Sequence, residues 1–282
     1  MEIIEHIPTL GINEFRIDLH IDGSFQYHHI CGSRIIEKAH KYDFFLFLLF
    51  EKGSGTHTID FVEHQVRANQ IHLLFPDQVH AWKLGNDTIA HQIMVSQHNF
   101  KAFAHLLRYD LVNFQNHPIL NLQEDVFQKL LYEFQSVGAE LSATAILWEI
   151  ISARCRIIAQ MVSREAACTF DDLRTYSIKP VLYAYQTLIN TYFKEQKSVS
   201  FYAEKLNISP NYLNILCKRH FNTSATSLIH SRLTLEAKRM LLASQYPIKE
   251  ISYDLGFYDL AYFSKFFKSQ TGTGPRQFRE MS

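Results

Sequence analysis

Residues 249–268 read KEISYDLGFYDLAYFSKFFK, and this stretch decides the fold of the C-terminal part. Ile248, Ile251 and Leu255 recur at i, i+3 and i+7, which predicts a short helix from Pro247 to Leu255 with one buried face and Pro in its first turn. Gly256 then supplies the left-handed geometry that ends a helix and that residues with a Cβ resist. Phe257 plugs the corner. Asp259 is a good N-cap for a second helix from Leu260 to about Ser269. Within that helix Tyr262, Phe263, Phe266 and Phe267 share one face, leaving Leu260, Ala261, Ser264, Lys265 and Lys268 on the other. Two short helices with a tight Gly turn, the second greasy behind and small, polar and basic in front, have the pattern of a helix-turn-helix. A ligand-free helical hairpin shares that pattern.

A second copy favours the first reading. YLNILCK at 212–218 and YFSKFFK at 262–268 match at an offset of 50 residues. Upstream, Phe201 to Leu206 forms the supporting helix, Asn207-Ile208 the turn, and Ser209 the N-cap with Pro210 at the first helical position. Ile229, Leu233, Ala237, Met240 and Leu241 give a continuous apolar edge to a helix from about Ser227 to Ala243. Such a helix can hold two recognition helices on one face of DNA, about one helical turn apart.

The net charge is zero, yet it is unevenly divided. From Leu173 to the end there are 15 Lys+Arg against 7 Asp+Glu, a net of +8; the remaining 13 against 21 give −8 for residues 1–172. That asymmetry points to a polyanion for one part only. Thirteen of the 15 histidines lie before residue 173.

Up to about residue 96 the chain reads as short strands separated by turn signals: Phe44 to Glu51, THTIDFVEHQV at 56–66, Ile71 to Phe75 before Pro76-Asp77, and TIAHQIMV at 88–95. Strands so closely spaced predict a small antiparallel barrel or sandwich. From Asn99 to about Ser163 the pattern is helical, with paired apolar residues from Ile146 to Val162 forming a long amphipathic stripe, either internal core or a dimer contact. Residues 164–178 read as a linker. The expected division is therefore 1–96, 97–163, 164–178 and 179–282. Cys31, Cys155, Cys168 and Cys217 show no zinc or disulfide spacing. No signal-peptide pattern opens the chain and its apolar runs are short of a membrane span, so a cytoplasmic protein with no membrane partner is expected.

The residues Glu250-Ile251, Leu255-Gly256-Phe257, Asp259, Tyr262-Phe263, Phe266-Phe267-Lys268, Gly272 and Pro275 resemble the DNA-binding domain of the AraC/XylS family of bacterial transcription regulators. AHKYDFF (39–45), GSGTHTIDF (53–61) and LFPDQVHAW (74–82) resemble, more loosely, that family's cupin-like sensing domain. The resemblance implies a multidomain α+β protein: an N-terminal antiparallel β-barrel with a helical linker, then an all-α domain with two helix-turn-helix units. Its implied partners are double-stranded promoter DNA, a second copy joined through residues 99–163, a small-molecule effector such as a sugar or other polar metabolite, and RNA polymerase. Regulators of this kind act as activator or repressor, and the resemblance leaves both open; with no phosphate loop, Gly-x-Ser-x-Gly elbow or paired-carboxylate motif in the sequence, no enzymatic activity and no cofactor are expected.

Carried over position by position, the base-reading candidates are Asn211, Asn214 and Ile215 in the first unit and Leu260, Ala261, Ser264 and Lys265 in the second. Asn suits the adenine edge, Lys the guanine edge, and Leu, Ala or Ile the thymine methyl. Lys218, Arg219, Lys268, Arg276 and Arg279 are the phosphate candidates, while Gly256, Phe257, Asp259 and Asn207 shape the turns. Asn222 stands where the family has Gly, and Cys217 where it has an aromatic residue. In the barrel, His40, Tyr42, His80 and Trp82 are the effector-pocket candidates. Metal-dependent cupin enzymes use three His and an acidic residue on one ion; here only His40 and His80 fit that pattern, so no metal is expected. A cupin-type metal enzyme fused to a DNA-binding module, and a regulator whose barrel only dimerises, are the alternatives.

Overall fold

A computed structural model describes residues 9–15, 24–104, 117–171, 175, 179–243 and 246–280. The chain divides into two compact units, with the boundary between residues 169 and 170.

The N-terminal unit carries ten strands: β1 (Thr9–Leu10), β2 (Phe25–Cys31), β3 (Arg34–Tyr42), β4 (Phe45–Lys52), β5 (Gly55–Ile59), β6 (Val62–Gln65), β7 (Gln70–Leu74), β8 (Val79–Leu84), β9 (Ile89–Val95) and β10 (Ile119–Asn121). The expected antiparallel strands are present, but they form two five-stranded sheets rather than one closed barrel. The order is β1-β3-β8-β5-β6 in one sheet and β10-β7-β4-β9-β2 in the other. Among the described residues only β1 with β3 is a parallel pair. Closure into a barrel needs hydrogen bonds at both seams, and here β6 and β2 are edges.

Two apolar clusters fill the space between the sheets. Tyr42, Leu46, Ile59, Leu74 and Met94 meet in one; Ile30, Leu48, Phe50, Trp82, Leu84 and Ala90 meet in the other. Strand β4 is apolar on both faces because its second face is also covered. Phe45 stacks on Phe100 at 3.6 Å between ring centroids, and Phe100 belongs to α1 (Gln97–Ala104).

Helices α2 (Glu124–Leu141) and α3 (Trp148–Thr169) pack together. The stretch expected to be helical from 97 to 163 is interrupted by β10, whose three residues pair with β7. The amphipathic stripe is also shorter than its spacing suggested. Ile146 and Leu147 precede α3, which then continues through residues 164–169 of the expected linker. Residues 172–174 and 176–178 of that linker, and 105–116 of the expected dimer region, lie outside the described residues. Within α3 the apolar pairs split: Ile151, Ile158 and Val162 are buried, whereas Ile150 and Ile157 are 38% and 41% exposed.

The C-terminal unit is helical: α4 (Pro180–Tyr192), α5 (Val199–Lys205), α6 (Pro210–Phe221), α7 (Ala225–Ala243), α8 (Ile248–Asp254), α9 (Leu260–Thr271) and α10 (Pro275–Glu280). Its core is the inner edge of α7 (Ile229, Leu233, Ala237, Leu241) with Leu182, Tyr185 and Ile189 of α4 and Leu213, Ile251, Phe263 and Phe267 from the shorter helices.

Candidate nucleic-acid interface and effector site

The two helix pairs α5/α6 and α8/α9 are built alike from local chemistry. Before α6, Asn207 adopts a φ of 54°, and the Ser209 hydroxyl accepts the Tyr212 backbone N–H at 3.1 Å with Pro210 in the first turn. Before α9, Gly256 adopts a φ of 71°, and Asp259 Oδ1 accepts the Tyr262 N–H at 2.7 Å. Both second helices end in the left-handed region, at Asn222 (φ 53°) and Gly272 (φ 81°). Asparagine tolerates that conformation because its short polar side chain makes local hydrogen bonds.

The backs of these helices are anchored. Phe263 and Phe267 are fully buried, and Phe257 lies within 5.2 Å of Phe263 and Phe266, centroid to centroid. Tyr262, expected on this face, is instead 58% exposed, while its neighbour Phe263 takes the inward position. Cys217 is fully buried, and burial pushes its thiol pKa up to about 11.

Asn211, Ile215, Leu260, Ala261 and Lys265 are exposed on the outer faces of α6 and α9, and Ser264 is half-buried. Lys218, Arg219 and Lys268 are exposed at the C-terminal ends of the same helices. Lys218, Arg219, Lys265 and Lys268 have no hydrogen-bond or ion-pair partner among the described residues, so their charge is available to an anion. Three other candidates are already engaged. Asn214 Oδ1 accepts the Ala225 N–H at 3.0 Å and so caps α7, leaving only its Nδ2 donors. Arg279 donates to the carbonyls of Leu241 and Tyr246, both at 3.0 Å, and ties α10 to the end of α7. Arg276 pairs with Glu280 at 2.9 Å, exposed on both sides.

In the N-terminal unit His40, Tyr42, His80 and Trp82 come together between the sheets. Strands β3 and β8 place His40 opposite His80, with ring centroids 4.3 Å apart and Tyr42 4.5 Å from His80. Their exposures are 5%, 2%, 1% and 7% in sequence order.

Two further histidines, His57 and His72, complete a chain. His72 Nδ1 and His57 Nδ1 are 2.9 Å apart, and His57 Nε2 is 3.4 Å from His80 Nδ1. Period-two alternation in THTIDF put His57 on the face of buried Ile59, a signal that the sequence did hold. Burial is the first cause holding all three imidazoles neutral. The His57 pKa is pushed down to about 3, and those of His72 and His80 well below the ordinary histidine value, with neighbouring histidines adding to the effect.

Each neutral imidazole has one N–H, so the chain has a direction. The Arg67 backbone N–H donates to Gln70 Oε1 at 2.9 Å, which fixes that atom as an oxygen acceptor. His72 Nε2, 3.2 Å from the same oxygen, therefore carries a proton. His72 Nδ1 must then accept from His57 Nδ1–H, and His57 Nε2 from His80 Nδ1–H. The chain ends at His80 Nε2, a buried acceptor with no partner among the described residues; Trp82 Nε1–H is likewise a buried donor with none. Because His57 turns opposite ring nitrogens to its two neighbours, this is a relay rather than a chelate. Among the described residues no group of three His, Cys, Asp or Glu is disposed to hold a metal ion. A separate cleft of about 440 Å³ opens beside Phe25, Asn99, Trp148, Ser152 and Arg156.

A β-sandwich whose apolar interior holds a buried histidine cluster, followed by paired helix-turn-helix units, defines a two-domain protein of the ligand-binding, helix-turn-helix class. Residues 24–151 match the model of the AraC-like ligand binding domain, and residues 202–281 match a helix-turn-helix domain model. The raffinose operon regulatory protein RafR of Pediococcus pentosaceus is 36% identical over 75 residues, 27% of each chain. The arabinose operon regulatory protein of Salmonella typhimurium is 32% identical over 77 residues, again 27% of each chain. This chain thus spans about a quarter of the length of these relatives. The crystal structure of ToxT from Vibrio cholerae aligns with 92% of this chain and 98% of its own, at 13% identity and a TM-score of 0.45. The chain belongs to the AraC/XylS family of transcription regulators. No helix among the described residues is long and apolar enough to cross a membrane.

Proposed function

We propose that this chain is a sequence-specific transcription regulator that binds promoter DNA through α6 and α9 and is controlled by a small polar effector in the N-terminal unit. One observation carries the reading: two similarly capped helices present exposed outer faces ending in lysines and an arginine with no partner among the described residues. Asn211, Ile215, Leu260, Ala261, Ser264 and Lys265 read base edges, and Lys218, Arg219 and Lys268 hold phosphates. With Asn214 and Arg279 engaged internally, the first unit reads chiefly through Asn211 and Ile215. The functional division follows the four segments expected from sequence except that the dimerising region runs on to Thr169, with α2 and α3 serving dimerisation through exposed Tyr132, Ile150 and Ile157.

Uncharged imidazoles and an indole donor suit a hydroxyl-bearing effector such as a sugar. His40 and Tyr42 flank it. The protein acts in the cytoplasm as an activator contacting RNA polymerase, and carries no enzymatic activity. The close ring packing around His80 favours one second reading, in which the sandwich only dimerises.

Selection of sheared genomic DNA on the full-length protein, followed by sequencing, tests the function. Discrete sites whose affinity falls steeply with salt support it. Enrichment of no sequence over background rejects it. Recovery of identical sites and affinities with and without a panel of neutral metabolites moves the argument to the dimer-only reading.

A further inference from the structure

The turn of the second helix-turn-helix is gripped from outside by the segment that leads into the first. Residues 193–198 join α4 to α5. Lys197 Nζ donates to the Lys194 carbonyl at 2.6 Å and to the Gly256 carbonyl at 2.9 Å. It also lies 4.9 Å from the centroid of the Phe257 ring. Lys194 Nζ reaches Asp254 Oδ2, at the end of α8, at 2.7 Å. The contact is so close that a Cβ added to Gly256 would collide with the Lys194 carbonyl oxygen and stand 2.8 Å from Lys197 Nζ.

Lysine is usually solvated, and holding its head group against protein is unfavourable unless carbonyls and a ring face replace the lost water. Here they do. Burial lowers the Lys197 pKa from the ordinary lysine value, with Glu195 opposing the shift.

The position of this joint gives it a functional consequence. Helix α7 is the covalent connection between the two helix pairs and packs against both, and a second link between the pairs adds to what holds their relative angle. Ser198, next to Lys197, is the N-cap of α5, so the joint links the second turn directly to the support of the first recognition helix. The path α5, α6, α7, α8, turn and joint closes on itself.

We propose that Lys197 is a positioning residue for bipartite DNA recognition: by closing this ring it fixes the separation and angle of α6 and α9, and makes the protein selective for one spacing between its two half-sites. This rests on the DNA-binding reading above.

The test uses full-length Lys197→Met, which keeps the stem and removes the donors, with Lys197→Arg as the conservative variant. Without DNA, spin labels at Arg219→Cys and Gln270→Cys, in a Cys31→Ser, Cys168→Ser background, report the distance between α6 and α9. A narrow distribution in the parent and in Lys197→Arg, broadened in Lys197→Met, is expected. With DNA, the selected operator is compared with versions one base pair longer and shorter, each step displacing a half-site by about 3.4 Å and about 35°. The parent loses about tenfold or more in affinity at altered spacing while Lys197→Met varies by less than about threefold, because misplaced contacts no longer have to be abandoned. Affinity for an isolated half-site is the same in all three proteins.

An equally narrow distribution in Lys197→Met, or an undiminished spacing penalty, overturns the proposal. If the parent binds no DNA at all, the regulator reading fails and the spacing role with it, while the label distances still report whether the joint fixes the helices.

Discussion

Replacing Gly256 by Ala should unfold the C-terminal unit selectively. Two terms add. A residue with a Cβ at a φ of 71° is strained by about 1–2 kcal/mol. The new methyl also drives the 193–198 segment away, breaking the two carbonyl bonds of Lys197. Each hydrogen bond to a charged group is worth about 1.5–3 kcal/mol, and partial rehydration of the half-buried ammonium returns some of it. The exposed Lys194–Asp254 pair adds little. The total is about 3–5 kcal/mol, which at a slope of about 2 kcal/mol per molar urea lowers the midpoint by about 2 M.

The assay follows from composition. The chain has two tryptophans, Trp82 and Trp148, and both lie in the N-terminal unit. Indole fluorescence therefore reports that unit alone, while circular dichroism at 222 nm also follows the helices of the other. Early helix loss with an unmoved fluorescence transition is expected. If the two transitions shift together, or if neither moves, the argument that Gly256 is required by the close approach of Lys194 is wrong.

Other expectations concern charge. The neutral buried histidines make the N-terminal unit acid-sensitive: His57 stays unprotonated in the folded state down to about pH 3, whereas an unfolded histidine binds a proton below about 6.5. The unfolded state thus binds more protons between those limits, and stability falls as pH drops, by up to about 1.4 kcal/mol per pH unit for His57 alone; a fluorescence-detected urea midpoint that is flat from pH 7 to 5 contradicts this. Lys265→Ala should weaken one operator position by about 1–3 kcal/mol; a uniform loss over all sequences reassigns it to phosphate. Lys268→Ala should weaken binding evenly and reduce the slope of log affinity against log salt by about 1, and an unchanged slope removes Lys268 from the phosphate set.

How much of this was legible in the sequence depended on whether the signal was local. Caps and turns were, because Asp259, Ser209 and Pro210 do their work within four residues of themselves, as does the positive φ of Gly256 though not its close approach to Lys194. The separation of the sheets was not: alternation gives each strand its faces but says nothing of which seams close. Strand β10 is only three residues long, too short for any period, and was absorbed into a helical stretch. Asn214 is a DNA candidate by its position in the family pattern and Arg279 by its charge, and their engagement with Ala225, Leu241 and Tyr246 depends on contacts 11 to 38 residues away. The same holds for His57 and His72, whose meeting with His80 needs two sheets, and for Lys197, which shows no motif at all.

The direction of the histidine relay makes the edge of one sheet and the interior of the sandwich a single electrical object. Gln70 is held by Asn121 on β10, at 2.8 Å, and its amide orientation decides which nitrogen of His72, then His57, then His80 carries the proton. Turning that one amide over would reverse every bond along the line and convert the buried face of His80 from acceptor to donor, with no heavy atom of the three rings displaced. The Arg67 N–H admits only the oxygen at that position, so the polarity met at the centre of the sandwich is set at the margin of the sheet.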